Sequence, residues 1–174
     1  MQDDQELITR AAAGDTAAFE ALYLRYREFV YRLAFRFVRD EAAALDVSQE
    51  VFTFLIRKIP TLRLTGKLST YLYPAVKNIA LTQKRRVARE RGEAAVERGV
   101  GDLPGVEPGD RDLVRAIEGL PEPQREVLLM RIVDEMSVEE VAMALSIPQG
   151  TVKSRLHLAL ASLREDERLR ELLV

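Results

Sequence analysis

No cysteine occurs in the 174 residues, and there is a single histidine, His157. The first absence excludes a disulfide framework, a thiolate zinc site and a Cys nucleophile together. The second leaves no His-based metal site and no spare imidazole for a catalytic triad. No Gly-rich phosphate loop and no nucleophile–base pair stands out either, so no catalytic site, metal or cofactor is expected. The opening segment, MQDDQELITR, is acidic and lacks the basic-then-apolar run of a signal peptide. No apolar stretch approaches the roughly 18 residues that span a bilayer. These absences predict a soluble, cytoplasmic protein without membrane insertion. Alternating strand patterns and solenoid-type repeats are missing too.

What is present is a chain that is 47% hydrophobic, enough to bury a core. Its formal net charge of −2 hides an uneven distribution. Residues 1–92 hold 16 Lys/Arg against 11 Asp/Glu, residues 93–112 hold 2 against 6, and residues 113–174 hold 8 against 11. A basic first half thus precedes an acidic remainder. The stretch from Gly92 to Asp112 carries Gly92, Gly99, Gly101, Pro104, Gly105, Pro108 and Gly109 with no helical apolar period. Gly and Pro at that density do not sustain a helix, and the acidic charges favour solvation. The expected organisation is all-α: a helical domain over 1–92, a flexible linker over 93–112, and a second helical domain over 113–174.

In the first domain, Phe19, Leu22, Tyr23, Tyr26, Phe29, Val30, Leu33 and Phe37 recur at spacings of three and four, one stripe of a long helix preceded by a break and cap at Gly14–Asp15–Thr16. A second helix is predicted from about Ala42 to Ile59, with Val47, Val51, Phe52, Leu55 and Ile59 inward and Pro60 as its stop. A polar connection, Thr61 to Ser69, leads to a third helix ending in basic residues. After the linker, helices are predicted around Leu113–Gly119 and Pro123–Val133, then over Val138–Leu145. Ser137 and Glu140 form a capping box for the last of these. A final helix starts near Pro148–Gln149, with the Pro at its first position, and continues through Leu163.

Two places carry chemistry. Ser137 to Arg164 reads as a helix-turn-helix: Val138, Val141, Ala142 and Leu145 form one buried face, Ile147 plugs the turn, and Val152, Leu156, Ala159, Leu160 and Leu163 form the matching face. That scheme leaves Gln149, Gly150, Thr151, Lys153, Ser154, Arg155 and His157 free near the start of the second helix. A recognition helix meets the major groove with its N-terminal residues, where Lys153 and Arg155 can reach phosphate or guanine. A helical hairpin with a merely wetted face has the same apolar pattern, but here turn, Pro and basic face coincide. For His157 the bland alternative is an ordinary surface histidine. The second place, Lys77 to Arg91, holds Lys77, Lys84, Arg85, Arg86, Arg89 and Arg91 against Glu90 alone, a density suited to neutralising phosphates. Tyr71 and Tyr73 just upstream could stack on unpaired bases. A solvated basic face beside two core tyrosines fits those residues equally well.

With these residues in hand, the whole chain resembles the extracytoplasmic-function (ECF) sigma factors, small members of the sigma-70 family of bacterial promoter-recognition subunits. The resemblance runs through LITRAAAGDTAAFEALYLRYREFVYRLA, DVSQEVFTFLIRK, LSTYLYPAVKNIALTQKRR and LPEPQREVLLMRIVDEMSVEEVAMALSIPQGTVKSRL. Gly150 to Leu156 and the Asp46–Gln49–Glu50 constellation are its most specific parts. It implies a non-enzymatic sigma factor that binds core RNA polymerase and directs initiation at promoter DNA. Asp46, Gln49 and Glu50, at spacings of three and four, would meet the β′ subunit, and the C-terminal domain would hold the β subunit. The −10 element would be met and its melting helped by Lys67, Tyr71, Tyr73, Lys77, Asn78, Lys84, Arg85 and Arg86. The Thr61–Ser69 connection would accept a flipped base. Gln149, Gly150, Thr151, Lys153, Ser154, Arg155 and His157 would read the −35 element. Tyr71 stands where the family usually has Trp and could equally be core. Pro74 falls where Arg is usual and is expected to kink the helix or start it late. Leu158 and Leu160 replace frequent basic residues. An anti-sigma factor is a further candidate partner, with Leu158 and the tail residues Leu169, Leu172, Leu173 and Val174 as its contacts.

Two other readings compete. A free-standing DNA-binding regulator would need the helix-turn-helix but not the Asp46–Gln49–Glu50 helix. A metal-dependent nuclease or phosphohydrolase would draw on Asp3–Asp4, Asp134–Glu135 or Glu139–Glu140. Adjacent carboxylates on a helix point about 100° apart, however, and do not converge on one ion.

Overall fold

A computed structural model describes residues 3–91, 108–166 and 169, and the chain divides into two compact units, Met1–Val96 and Glu97–Val174. Among the described residues there are eight α-helices and no strand. The first unit contains α1 (Asp4–Ala12), α2 (Thr16–Val38), α3 (Glu41–Lys58), a 3-10 turn over Ile59–Thr61, and α4 (Leu68–Arg91). The second contains α5 (Pro108–Glu118), α6 (Glu122–Ile132), α7 (Val138–Leu145) and α8 (Gln149–Glu165).

In the first unit α2, α3 and α4 pack on one another, and α1 lies against α2 and the 3-10 turn. Val47, Val51, Phe52, Leu55 and Ile59 are buried as expected, as are Leu22, Val30 and Leu33 of α2 and Leu68, Leu72 and Val76 of α4, the helices on which α3 packs. Each such side chain removed from water stabilises the unit by roughly 1.5–3 kcal/mol. Tyr23, expected on the inward stripe of α2, is instead exposed, its ring meeting Phe52 edge-to-face with centroids 4.8 Å apart. The stripe is wider than the contact its neighbours can cover.

The helix junctions follow cap chemistry. Asp15 accepts from the Ala18 N–H at 3.2 Å to start α2. Arg39 closes that helix in the left-handed conformation, and Asp40 accepts from Ala43 to start α3. Helix α1 was not anticipated: nine residues in which Leu7 and Ile8 are the only buried apolar side chains leave too short a periodic signal. Its inner end holds a buried carboxylate. Asp4 accepts from Arg25 Nη1 at 2.6 Å, from the Tyr26 hydroxyl, and from the Leu68 N–H at 3.1 Å. A charge so placed is tolerated only when its lone pairs are met. Burial, and then the bond to Asp4, pushes the Tyr26 phenol well above its ordinary range, so it stays a neutral donor.

Helix α4 begins at Leu68 and runs through Pro74, so the expectation of a late start is not met. The missing N–H of Pro74 costs one bond to the Thr70 carbonyl, and packing on α2 and α3 carries the helix past it.

In the second unit α6 and α7 both pack on α8, and Leu120, Leu128 and Ala159 form a cluster completed by Ile117, Leu156 and Leu163. Leu160, assigned above to this buried face, is 37% exposed. It lies about 100° around the helix from Ala159, and that turn carries it out of the contact. Helix α5 opens at Pro108, inside the segment expected to be linker. Pro favours the first turn of a helix, where its absent N–H costs nothing. The remainder of the expected linker, residues 93–107, and the tail residues Leu172, Leu173 and Val174 lie outside the described residues. The capping box at Ser137 is complete, with Glu140 N–H on Ser137 Oγ at 3.1 Å and Ser137 N–H on Glu140 Oε2 at 2.6 Å. Pro148 is the N-cap of α8 rather than its first residue, extended at φ −61°, ψ 146°.

Ser137→Ala should therefore cost the second unit about 1 kcal/mol, read as a lower midpoint in urea with an unchanged slope. Asp15 adds a pH signature. The Arg10 guanidinium, at 2.6 Å, and then the Ala18 N–H hold its carboxyl below the usual carboxylate range. Because the folded-state pKa is the lower one, this contribution is present above the unfolded value of about 3.9 and is lost as pH falls through the folded value. Wild type should lose more stability than Asp15→Asn on titration into that acid window.

Candidate promoter and polymerase interfaces

Three exposed surfaces emerge from what the cores leave over. On α3 the buried positions take one side, and Asp46, Gln49 and Glu50 are all exposed on the other. Leu45 and Ile56, 55% and 53% exposed, extend the same helix surface with apolar side chains. Both were missed in the sequence because they fit a helical core pattern as readily as a binding rim. Exposed aliphatics beside an acidic–polar patch make this side of α3 a candidate protein-binding face.

On α4 the register separates the two tyrosines. Tyr73 is 1% exposed and meets Phe37 edge-on at 6.5 Å. Its assignment as a base-stacking residue is corrected: two residues from Tyr71 it has turned about 200° around the helix and into the core. Tyr71 is only partly buried, stacked on Phe54 of α3 with centroids 6.2 Å apart and planes 15° from parallel. Lys58 Nζ lies 5.7 Å from the Phe54 ring on that helix. Phe54 is thus a support for Tyr71 that the sequence did not reveal, since the pair is joined only by the packing of α3 on α4. Burial raises the Tyr71 phenol pKa, which keeps the hydroxyl protonated as a donor.

From Tyr71 the helical repeat aligns Asn78, Thr82, Arg85 and Arg89 along one line, and the last four are exposed. Arg86 is exposed beside this line, 3.9 Å from Glu90 one turn on. Lys77 and Lys84 lie partly buried on the flank, nearer the core side. Lys67 is exposed in the connection before the helix, together with Arg63, Thr65 and Gly66. The structure therefore brings Tyr71, Asn78 and Arg85 onto one face and sets Lys77 and Lys84 at its edge.

In the second unit, α7 ends with Ser146 in the left-handed conformation, and the Ile147 N–H returns to the Ala142 carbonyl at 3.0 Å. That turn brings Val152 and Ala159 of α8 inward. Gly150, Lys153, Ser154 and His157 share the outer face and are exposed, with Gln149 exposed on one flank and Thr151 and Arg155 partly buried on the other. A Cβ at Gly150 would meet no atom within 4 Å, so nothing inside the protein requires glycine there. Leu158, 51% exposed, sits on the same polar face one turn beyond Ser154.

Two members of the acidic pairs have other work. Asp4 is enclosed by Arg25, Tyr26 and Leu68, and Glu140 completes a cap. Among the described residues no group of three or more His, Asp or Glu could hold a metal ion, and no helix is long and apolar enough to cross a membrane.

Comparison with known proteins agrees with this division. Residues 22–90 match the model of sigma-70 region 2, and residues 110–163 match that of sigma-70 region 4. The RNA polymerase sigma-H factor of Pseudomonas aeruginosa is 32% identical, covering 89% of either chain. The ECF sigma factor SigW of Bacillus subtilis is 30% identical over 92% of this chain and 95% of its own. Among solved structures, CnrH in complex with the cytosolic domain of CnrY is similar at TM-score 0.68 and 24% identity, covering 93% of this chain and 95% of CnrH. RpoE of Bartonella quintana, solved with the anti-sigma factor NepR, gives 0.64 and 22%, covering 87% and 96%. With both regions in order and relatives matched over nearly their full length, the chain belongs to the ECF group of the sigma-70 family, promoter-recognising sigma factors that bind core RNA polymerase and initiate transcription without being enzymes.

Proposed function

We propose that the two units read separate promoter elements, the first taking unpaired bases of the −10 element and the second the duplex −35 element. The observation that carries this reading is the line Tyr71, Asn78, Arg85 and Arg89 on α4, which starts beside the exposed connection Arg63–Lys67. An aromatic, an amide and then cations in that order suit a single strand: a ring to stack a base, an amide for a base edge, and charges along the phosphates. Lys67, Lys77, Lys84 and Arg86 flank the track. The face of Asp46, Gln49 and Glu50 binds the β′ subunit, with Leu45 and Ile56 supplying apolar contact, while the second unit also engages β. The factor acts with the polymerase in the cytoplasm.

On α8, Lys153, Ser154 and His157 face the major groove with Gln149, Thr151 and Arg155 at its margins. The bare backbone of Gly150 lets a DNA strand approach the helix start, where N–H groups favour phosphate. Leu158 interrupts that polar face and is a candidate contact for an anti-sigma factor of the kind solved with RpoE.

Two measurements test this reading. Lys153→Ala with Arg155→Ala should weaken protection of the upstream element by roughly 1–3 kcal/mol per lost contact, with binding to core polymerase unchanged; an unaltered footprint would show that the face is only solvated. Tyr71→Ala should slow open-complex formation on duplex promoters, because stacking supplies about 1–3 kcal/mol per base, and a pre-melted bubble should restore the rate. Loss of polymerase binding together with a lowered melting temperature and no rescue would instead mark Tyr71 as a packing residue.

A further inference from the structure

We infer that α1 belongs to the base-reading apparatus: Gln5, backed by Asp4, is a positioning residue that holds the Leu62–Leu68 connection in its receptive shape. The inference rests on the reading above, in which that connection receives an unpaired base.

The connection has little structure of its own. Between the 3-10 turn and α4, residues 62–67 belong to no helix or strand. Its two ends are buried at Leu62 and Leu68, while Arg63, Thr65, Gly66 and Lys67 are exposed between them. A segment fixed at its ends and open in the middle keeps one conformation only if its backbone groups are held. Locally, Leu62 N–H returns to the Ile59 carbonyl at 3.2 Å and Arg63 Nη1 donates to the Leu62 carbonyl at 2.9 Å. Thr70 N–H returns to the Lys67 carbonyl at 3.1 Å, and two further anchors come from α1. Leu64 N–H donates to Gln5 Oε1 at 2.8 Å, and Leu68 N–H donates to Asp4 Oδ2 at 3.1 Å. These acceptors are adjacent residues in the first turn of a helix some sixty positions earlier, and they grip the connection at its middle and at its exit.

The two grips differ in kind. Asp4 is buried and tied to Arg25 and Tyr26 of α2, so it joins three elements and cannot be changed without disturbing the unit. Gln5 is only partly buried, and its amide nitrogen turns back to Thr9 on α1 itself, at 3.3 Å. Leu7 and Ile8, which seat α1 on the core, do not depend on it. Removing the Gln5 amide should free the Leu64 N–H to water while leaving the helix docked. The consequence falls on the shape of the exposed Arg63–Lys67 segment, hence on which base it accepts, rather than on folding.

The test uses the full-length chain, alone and with core polymerase, as wild type, Gln5→Ala and Gln5→Glu, the last retaining an acceptor oxygen at the same reach. Amide exchange at Leu64 should quicken roughly fivefold in Gln5→Ala, the factor one ordinary hydrogen bond contributes to an equilibrium. Melting temperature should fall by only the few degrees that one such bond is worth, and core-polymerase binding should stay unchanged. Open-complex rates across promoters differing by single −10 bases should lose a comparable factor of discrimination, and Gln5→Glu should restore both exchange and discrimination. Faster exchange with full discrimination retained would overturn the inference, since α1 would then be packing only. Unchanged exchange would overturn it as well. Thr65→Ala with Lys67→Ala is the control for the underlying reading. If that pair leaves base preference untouched, the connection does not read bases, and the function proposed for it fails along with the inference.

Discussion

A carboxylate taken out of water is unstable unless donors replace the lost solvation, and the first unit is arranged around one such group. Asp4 draws a guanidinium and a phenol from α2 and a backbone N–H from the start of α4 into one small volume. Withdrawing a donor from a buried acceptor typically costs about 1–3 kcal/mol, on the scale of burying one large aliphatic side chain. Apolar burial holds α2, α3 and α4 together without caring much about the azimuth of each helix. The Asp4 bonds do care, because hydrogen bonds weaken steeply with misdirection. They define where α1 sits, and with it the entrance to α4.

From that entrance the geometry of α4 is a matter of rotation. Leu72, Tyr73, Val76 and Ala80 are buried, and with that side committed the opposite side must present Tyr71, Asn78, Thr82 and Arg85. The same division operates on α8, where Val152 and Ala159 inward leave Gly150, Lys153, Ser154 and His157 outward. Both helices thus display polar groups as a by-product of core formation. On α3 the display includes Leu45 and Ile56, which core formation alone does not explain. On the proposed reading, these exposed aliphatics are covered by the protein partner that the acidic patch beside them meets.

The sequence made these divisions legible wherever a periodic stripe was long. The inward set Val47, Val51, Phe52, Leu55 and Ile59 read correctly from spacing, as did the Ser137–Glu140 box, because caps are local chemistry. Failures came where position depends on contacts distant in sequence. Tyr71 and Tyr73 have the same composition and nearly the same address, and only the packing of α4 against Phe37 and Phe54 tells them apart. Leu160 and Tyr23 sat at the edges of stripes, where a rotation of a few tens of degrees decides exposure. Pro108 was taken for a breaker although at a first helical turn it is favourable. Helix α1 went unseen because its anchoring bonds join residues 21, 22 and 64 positions apart.

Charge separates the roles of the two units further. Residues 1–92 carry an excess of five cations, whereas residues 113–174 carry an excess of three anions. Long-range attraction to DNA therefore favours the first unit, and the second meets a phosphate backbone against its own net field. On the proposed reading, the second unit depends on short-range contacts along the first turns of α8 and on being delivered to its site by the polymerase. Once the first unit is seated, binding by the second is intramolecular, and its modest intrinsic affinity is raised by an effective concentration up to the millimolar range. Such an arrangement gives selectivity, because an acidic reader brought in by a partner loses little to the nonspecific DNA that would hold a basic one.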